Sequence, residues 1–316
     1  MLHQNSTPPV VPLLTFSTGS LYLYSLDRAF ALAAEYGFDG VEVMCDHRYD
    51  SRQPDNLRRL MNTHQLPVSS LHTPLRGWGL PGWQDGQIAA LEQTVALAEA
   101  INAAHVVCHL PSRIWFMTFT YAARSWKLPA CSIHTDYKRW IEQGGLAVLQ
   151  AQTPVHICIE NIQLITKAPK GHWLTWWNTL VEWPQVHDYL TLDTSHWATH
   201  GIDPLTAYQA AGGGVRHIHL SNTQDSQDHL PPQTGDLDLA AFMRQLAGDG
   251  FDGHIVVELN PHTLHSWDEA RTRTLLAETV EFCRAALAVE PSSVMRGNGT
   301  AQAVGVEPDI YETTVG

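Results

Sequence analysis

The sequence has few positive charges and no cluster of them. Lysine and arginine together number 19 against 32 acidic residues, which gives a net charge of −13 at pH 7. Nucleic-acid-binding proteins present a basic surface, so this balance disfavours a nucleic-acid partner but leaves one open in a local cleft.

Long apolar runs are also missing. No uncharged apolar stretch reaches the roughly 18 residues that a membrane span needs. The first residues, MLHQNSTPPVVPLL, have no basic segment followed by a long apolar run. We therefore expect a cytoplasmic protein without a membrane partner.

Closely spaced cysteine pairs are absent as well. The cysteines are scattered and odd in number, and none belongs to a C-x-x-C motif. We expect reduced, mostly buried thiols, in agreement with a cytoplasmic location. They are Cys45, Cys108, Cys131, Cys158 and Cys283.

Short apolar segments of strand character recur along the chain, with helical segments between them. This alternation indicates parallel strands joined by helical crossovers, and 316 residues with 44% hydrophobic content suffice for one barrel with insertions. The sequence therefore predicts an α/β fold, a single (β/α)₈ TIM barrel with parallel strands. The predicted strands are 12–18, 40–45, 67–72, 105–110, 155–160, 189–194, 216–221 and 254–259.

Helical segments are marked by their caps and by apolar residues on one face. Ser25 is suited to cap the segment LDRAFALAAEY, and the following glycine to end it. Apolar stripes predict further helices over 84–103 and 268–288. A Gly-Phe-Asp-Gly turn before a strand that bears a glutamate occurs at 37–40 and again at 250–253, which indicates a repeated βα unit.

Three stretches depart from the regular pattern. Residues 1–11 are expected to form an N-terminal extension to a catalytic barrel domain at 12–290. The stretch near 111–135 is too long and aromatic for a minimal connection, so we expect an inserted loop over the strand ends, either a lid or a packed surface excursion. Residues 291–316 lack periodicity and are expected to be a flexible C-terminal tail.

Polar residues fall at the ends of the predicted strands, although strands of a parallel barrel usually read as nearly continuous apolar runs. Histidine, a common metal ligand, is abundant with 18 residues. The carboxyl ends of barrel strands meet at one mouth, so seven ligand-capable side chains are predicted to converge there. They are His72, His109, Glu160, Asp193, His196, His219 and Glu258.

The three carboxylates in this set are the informative members. A lone histidine near a strand end is more often a hydrogen-bonded structural group. Glu160, Asp193 and Glu258 have little lysine or arginine nearby in sequence, so loss of solvation and mutual repulsion would force protonation unless a cation lay between them. The sequence therefore predicts a divalent metal site.

The order of the motifs HTP, CHLP, IEN, DTSH, HIHLSN and VVELNP resembles the xylose-isomerase-like TIM-barrel superfamily over roughly residues 12–288. This superfamily contains sugar phosphate isomerases and epimerases and the endonuclease IV group. The resemblance to its sugar branch implies that Glu160, Asp193, His219 and Glu258 bind one divalent ion, and that Glu160 and Glu258 are also the catalytic residues.

The same resemblance implies a reaction, a cofactor and a partner. Carboxylates on opposite sides of a small sugar-like substrate would move a carbon-bound proton through an enediolate, with His196 on substrate hydroxyls. The implied cofactor is Mn²⁺ or Zn²⁺, with Mg²⁺ or Co²⁺ as further options and no organic cofactor. A homo-oligomer is an option for the assembly.

The endonuclease IV branch implies different chemistry at the same place. Its three-zinc cluster activates hydroxide for phosphodiester cleavage and uses further ligands, to which His72, His109 and His196 correspond. His229 matches another ligand, but the family's Asp-x-His pattern is here QDH at 227–229, with the aspartate displaced by one residue. His229 is therefore either a metal ligand or a loop histidine of the substrate pocket.

Substrate-binding groups are less clearly marked. The sugar branch often has an arginine after the seventh-strand histidine, but residues 220–243 contain no Arg or Lys, so that loop does not support an anionic substrate. Glu42 on the second strand is either a further site residue or a structural acid. Basic and aromatic residues predicted in mouth loops are Arg113, Arg124, Lys127, Lys167, Lys170, Trp115, Trp126, Trp173, Trp176 and Trp177.

Three functions stay open at this point. The first is a metal-dependent sugar (ketose or polyol) isomerase or epimerase that works by metal-assisted proton transfer. The second is an endonuclease IV-like zinc-cluster phosphodiesterase, which the extra histidines favour and the acidic balance and the displaced aspartate disfavour. The third is a barrel that binds a metal or a sugar without turnover.

Overall fold

The structure is a computed structural model that describes residues 12–75, 79–121, 124–131, 134–164, 174–225 and 227–288, with backbone only over 114–131. The predicted N-terminal extension and C-terminal tail lie outside the described residues. The described strands are β1 (Leu13–Ser17), β2 (Gly40–Met44), β3 (Val68–His72), β4 (His105–His109), β5 (Ile114–Tyr121), β6 (Arg124–Cys131), β7 (His156–Glu160), β8 (Leu190–Asp193), β9 (Val215–Leu220), β10 (Asn222–Gln224), β11 (Gln227–Leu230) and β12 (His254–Val257).

A closed barrel of parallel strands forms the centre of the molecule. Its order is β1-β12-β9-β8-β7-β4-β3-β2, and every neighbouring pair around it is parallel. The predicted (β/α)₈ barrel is therefore confirmed, and each barrel strand begins and ends within two residues of its predicted bounds.

Helices connect these strands on the outside of the barrel. The helix predicted after Ser25 begins as expected, because Ser25 Oγ accepts a hydrogen bond of 3.2 Å from the backbone N–H of Arg28. The described helices are α1 (Leu26–Glu35), α2 (Pro54–His64), α3 (Gln87–Ile101), α4 (Thr135–Glu142), α5 (Gly145–Ala151), α6 (Thr194–Thr199), α7 (Pro204–Ala210), α8 (Leu239–Gly248) and α9 (Glu269–Leu287). None of the helices in these described ranges is long and apolar enough to cross a membrane.

The repeated Gly-Phe-Asp-Gly turn has the same construction at both sites. Its first glycine, Gly37 or Gly250, ends a helix with a positive φ of 78° or 69°. Its last glycine lies against the neighbouring strand: a Cβ on Gly253 would stand 2.3 Å from the carbonyl oxygen of Arg216, and one on Gly40 would stand 3.0 Å from a backbone oxygen. The repeat thus sets how closely two strands approach their neighbours.

Apolar packing fills the space between strands and helices. Leu14 and Phe16 of β1 are fully buried in one cluster with Leu26 and Phe30 of α1, and the rings of Phe16 and Phe38 lie 5.1 Å apart. Each such side chain contributes about 1.5–3 kcal/mol on burial. Four cysteines are free and buried, as predicted, and the side chain of Cys131 lies outside the described part.

The interior of the barrel is polar, in contrast to this outer core. Thr15, Glu42, Ser70 and His217 are all fully buried. Branched apolar side chains usually fill the interior of such barrels. Polar side chains therefore lie inside this barrel as well as at its mouth, where the predicted site residues are found.

Two antiparallel hairpins stand outside the barrel. One pairs β5 with β6 inside the stretch predicted as an inserted loop, and its role as a lid stays a prediction. The other pairs β10 with β11 directly after β9 and carries His229 near the end of β9. The second hairpin therefore brings His229 of β11 to the barrel mouth, where its Nδ1 lies 3.3 Å from Ser221 Oγ.

Candidate metal centre

Four predicted ligands lie together at the mouth of the barrel. Glu160 ends β7, Asp193 ends β8, His219 lies in β9 and Glu258 directly follows β12. One ligand atom of each lies within 4.8 Å of the ligand atoms of the other three. The side chain of Glu258 is 14% exposed, whereas the other three are buried. The strand ends thus build one compact group of three carboxylates and one imidazole.

His219 is the centre of this group. Its Nδ1 lies 2.8 Å from Glu258 Oε2, 3.0 Å from Glu160 Oε1 and 4.0 Å from Asp193 Oδ2. Burial alone would lower the pKa of His219, but the carboxylates of Glu258 and Glu160 raise this pKa well above its ordinary value. Burial opposes ionisation of Glu258, yet His219 holds the pKa of Glu258 at about 2. The negative charge around His219 therefore exceeds the single positive charge that an imidazolium supplies.

Asp193 presents a buried oxygen atom that makes no hydrogen bond with any of the described residues. Its Oδ1 accepts hydrogen bonds from the backbone N–H of His196 (2.7 Å) and from Ser195 Oγ (2.9 Å). The bond from His196 makes Asp193 the N-cap of α6. Its Oδ2 is buried without a hydrogen-bond partner among the described residues. An unsatisfied buried polar atom costs about 1–3 kcal/mol. A divalent cation beside Oδ2 would remove this cost, so the residues present fit such an ion.

Two further predicted histidines approach Glu160 from the other side. The Nε2 atoms of His72 and His109 lie 3.3 Å and 3.1 Å from Glu160 Oε2. His72 Nδ1 donates to the carbonyl oxygen of Thr73 at 2.7 Å, which leaves Nε2 as the free ligand atom. His72, Glu160 and His219 form a second group with ligand atoms within 4.8 Å of one another.

The remaining two predicted histidines lie beside Asp193. His196 Nδ1 donates to the carbonyl oxygen of Asn161 at 2.9 Å, and His196 Nε2 lies 3.2 Å from His229 Nε2. Asp193, His196 and His229 form a third group within the same 4.8 Å limit. The structure thus brings all eight predicted site residues to one place, whereas Asp228 is not part of any of these groups of described residues.

Glu42, His217 and Asn161 also support the site, although the sequence did not single out the last two. Glu42 Oε1 lies 3.2 Å from His219 Nε2, and Glu42 Oε2 lies 3.1 Å from His217 Nε2. Asn161 Oδ1 accepts from the backbone N–H of Asp193 at 2.8 Å. The alternation in the motif HIHLS was the signal for His217, because residues two apart in a strand share a face.

The predicted mouth-loop residues are only partly described. Arg113 and Lys138 lie over the ring of Trp176, at 5.1 Å and 5.7 Å from its centroid, and Lys138 lies 5.5 Å from that of Trp177. These aromatic faces are thus in contact with cations. The side chains of Arg124, Lys127, Trp115 and Trp126 and the whole of Lys167, Lys170 and Trp173 lie outside the described part.

The fold and the grouped ligands define a TIM barrel with a candidate metal centre at its mouth. Within that class, the chain belongs to the xylose isomerase-like TIM barrel family, whose model matches residues 30–286. It is similar to an uncharacterised protein of Mycobacterium tuberculosis, with 28% identity over 290 residues, 85% of this chain and 95% of that protein. An uncharacterised protein of Mycobacterium leprae is 29% identical over the same length and coverage.

Several solved structures share the fold. A 3-keto-D-glucoside 4-epimerase, YcjR, from E. coli has a TM-score of 0.61 and 16% identity, and the match covers 87% of this chain and 99% of that one. A D-psicose 3-epimerase studied in the presence of D-fructose has a TM-score of 0.61 and 16% identity, covering 88% and 100%. An AP endonuclease of family 2 from Brucella melitensis has a TM-score of 0.57 and 16% identity, covering 82% and 97%. At these identities the likeness shows a common fold alone.

Proposed function

We propose that this protein is a metal-dependent sugar isomerase or epimerase that works by proton transfer at carbon. The observation that carries the proposal is the convergence of Glu160, Asp193, His219 and Glu258 within 4.8 Å at the barrel mouth. Membership of the xylose isomerase-like family and fold neighbours named as sugar epimerases support it.

These four residues would hold one divalent ion. Carboxylate oxygens and an imidazole nitrogen suit Mn²⁺ or Zn²⁺, with Co²⁺ as a further candidate and Mg²⁺, which prefers oxygen ligands, as a weaker one. When bound, such an ion supplies Lewis acidity to a ketose carbonyl and the neighbouring hydroxyl. Asp193 Oδ2, buried without a hydrogen-bond partner among the described residues, supports this assignment.

The two glutamates would move the proton. In epimerisation one glutamate, as a carboxylate, accepts the proton from carbon, and the other, after it has taken up a proton from solvent, returns a proton to the opposite face of the enediolate. The side chain of Glu160 is 1% exposed and that of Glu258 is 14% exposed. We assign proton exchange with solvent to Glu258, because it is the more accessible of the two.

Turnover of ketoses in deuterated water tests the proposal. We expect the Mn²⁺-loaded protein to form an epimer or isomer that carries solvent deuterium on the reacting carbon. Glu258→Gln should reduce the rate by about 10²–10⁴-fold, because an amide transfers no proton. Glu281→Gln, on an exposed part of α9, is the matched control and should keep full activity. Absence of turnover on ketoses and polyols by folded, metal-bound protein would contradict the proposal.

A zinc-cluster phosphodiesterase is the second candidate. The groups around His72 and around His196 and His229 favour it, because they would add ligands for further ions beside the first. The displaced Asp228 disfavours it, since this residue lines a separate cavity of about 630 Å³ together with Gln227 and Arg271. Three tightly held zinc ions per chain would favour the phosphodiesterase, and one exchangeable manganese ion would favour the isomerase.

A barrel without turnover is the third candidate. It would use the same residues to bind a metal or a sugar. Under this candidate, Glu160→Gln protein that still binds its metal or sugar would keep its role in the cell, whereas either enzyme would lose most of its rate.

A further inference from the structure

Glu42 lies inside the barrel beneath the candidate metal centre and takes no part in the chemistry proposed above. Its side chain is fully buried. A buried carboxylate loses several kcal/mol of solvation unless charged or hydrogen-bonding partners compensate for it. The partners of Glu42 therefore show what this residue is arranged to do.

The two carboxylate oxygens of Glu42 have different surroundings. Oε2 accepts a hydrogen bond from Ser70 Oγ at 3.0 Å and lies 3.1 Å from His217 Nε2, which itself lies 3.2 Å from Ser70 Oγ. Oε1 lies 3.2 Å from His219 Nε2. Ser70 and His217 thus hold Oε2 in place, and Oε1 faces His219, the central residue of the site.

His219 Nε2 and Glu42 Oε1 have no hydrogen-bond partner among the other described residues. Neither atom makes a well-aligned hydrogen bond with any of the described residues. At 3.2 Å they are nevertheless in ion-pair contact, with the N–H directed off the line that joins them. No other described acceptor makes a hydrogen bond with this nitrogen.

This contact bears on which ring nitrogen of His219 would keep a proton when an ion binds. Nδ1 faces Glu258 and Glu160 at 2.8 Å and 3.0 Å, so it is the nitrogen that would bind the ion. A neutral imidazole has one N–H and one lone pair, and a ligand lone pair at Nδ1 requires the proton on Nε2. A carboxylate at the second nitrogen stabilises that tautomer and makes the ligand more basic.

We propose that Glu42 is a positioning residue, which holds the Nε2 proton of His219 so that Nδ1 presents its lone pair to a divalent ion. This inference rests on the proposed metal-dependent function. It also explains why a carboxylate is retained in a barrel interior that apolar side chains usually fill.

A competing arrangement places a second ion between Glu42, His217 and His219. Their ligand atoms also lie within 4.8 Å of one another. That arrangement would use Nε2 of His219 as a ligand while Nδ1 binds the first ion, which requires removal of both ring protons. Ser70 already satisfies one oxygen of Glu42 with a hydrogen bond, which favours the positioning role.

The tautomer of His219 can be measured without any substitution. In Zn²⁺-loaded protein labelled with ¹⁵N on histidine, we expect a protonated Nε2 and an ion-bound Nδ1 for His219. A proton on Nδ1, or an Nε2 without a proton, would overturn the inference. A hydrogen bond from that Nε2 proton to Glu42, seen as a downfield ¹H shift that is lost in Glu42→Leu, separates the positioning role from a residue that only fills space.

Metal affinity of Glu42 variants supplies the second test. In calorimetric titrations with Mn²⁺, Glu42→Leu should bind about 10–100-fold more weakly than the unsubstituted protein, and Glu42→Gln should lie between them because its amide oxygen still accepts a hydrogen bond. Thr15→Val is the matched control, since it removes a buried hydroxyl of the same interior that has no partner among the described residues. Circular dichroism in EDTA checks that each variant is folded.

The possible results separate the two claims. Equal affinity of Glu42→Leu and the unsubstituted protein would overturn the positioning role and leave the proposed function standing. Loss of one whole ion out of two in Glu42→Leu would make Glu42 a ligand and also overturn the positioning role. Failure of the unsubstituted protein to bind any divalent ion would overturn both claims together. If Glu42→Leu does not fold, the tautomer measurement on the unsubstituted protein decides.

Discussion

At the scale of single residues, the site depends on which atom of each side chain is left free. Asp193 uses Oδ1 to cap α6, and only Oδ2 remains for a cation. His72 and His196 each use Nδ1 on a backbone carbonyl oxygen, at 2.7 Å and 2.9 Å, and keep Nε2 for the site. His219 differs from them, because Nδ1 is its inward atom. In Asp193, His72 and His196, the contacts of one side-chain atom thus leave the other atom available to an ion.

Proton release on metal binding follows from the charge of His219. The carboxylates of Glu258 and Glu160 raise the pKa of His219 well above its ordinary value, which favours an imidazolium at pH 7, and His219 lowers the pKa values of Glu160 and Glu258, which favours their ionised forms. Because an ion takes only deprotonated ligands, binding of Mn²⁺ at pH 7 should release about one proton per chain. Calorimetry in buffers of different ionisation enthalpy measures this number. Proton uptake, or no release, would show that His219 is not the ligand.

At the scale of strands and helices, the sequence was sufficient for the barrel and for most of the site. Short apolar runs and helix caps predicted the strands within two residues, because a strand buried on both faces leaves a continuous apolar run and a helix buried on one face leaves a periodic pattern. Strand ends of a barrel meet at one mouth, so the positions of Glu160, Asp193 and Glu258 followed from the strands alone.

Contacts across the barrel interior could not be predicted in the same way. The contact between Glu42 and His219 depends on the register of strands that are 177 positions apart in the chain numbering, and sequence spacing carries no information on such register. The stretch IWFMTFTY was read as part of a loop, whereas the structure gives it to β5 of a hairpin. Its aromatic and β-branched residues and the alternation of apolar and polar residues over 117–121 fit a strand, but so short a pattern does not identify one.

The Gly-Phe-Asp-Gly repeat gives a prediction about strand contact. Gly253→Ala should lower the free energy of unfolding more than Gly250→Ala does, because a Cβ at 253 meets the backbone of Arg216, whereas one at 250 meets nothing within 4 Å. Gly250→Ala should cost about 1–2 kcal/mol from its positive φ alone. Urea unfolding of the two variants measures both values. An equal or smaller effect at Gly253 would contradict the close approach of β12 to β9.

At the scale of the whole molecule, the barrel interior joins the mouth to its opposite end through buried titratable groups. His105 and His254, at the beginnings of β4 and β12, lie with their Nδ1 atoms 3.2 Å apart. Burial, together with neighbouring histidines, lowers the pKa of His105 to about 2 and that of His254 to about 4. The folded protein therefore keeps both imidazoles neutral, while the unfolded chain protonates them near pH 6.5.

Stability towards acid should reflect these two histidines. A pKa that is lower in the folded state gives stability that is complete above about pH 6.5 and is lost as the pH falls towards about 4. We expect the free energy of unfolding, measured in EDTA, to fall over this range, and His254→Leu to make the fall shallower. His47→Asn, on an exposed residue, should leave the slope unchanged. An unaltered slope in His254→Leu would contradict the neutral state of the buried pair.

The central claim is that one divalent ion is held where four strands end. Anomalous diffraction from crystals grown with Zn²⁺ or Mn²⁺ tests it most directly. The account predicts an anomalous peak about 2.0–2.3 Å from His219 Nδ1 and from oxygens of Glu160, Asp193 and Glu258. A peak elsewhere on the protein, or no peak at this site in crystals saturated with metal, would contradict it.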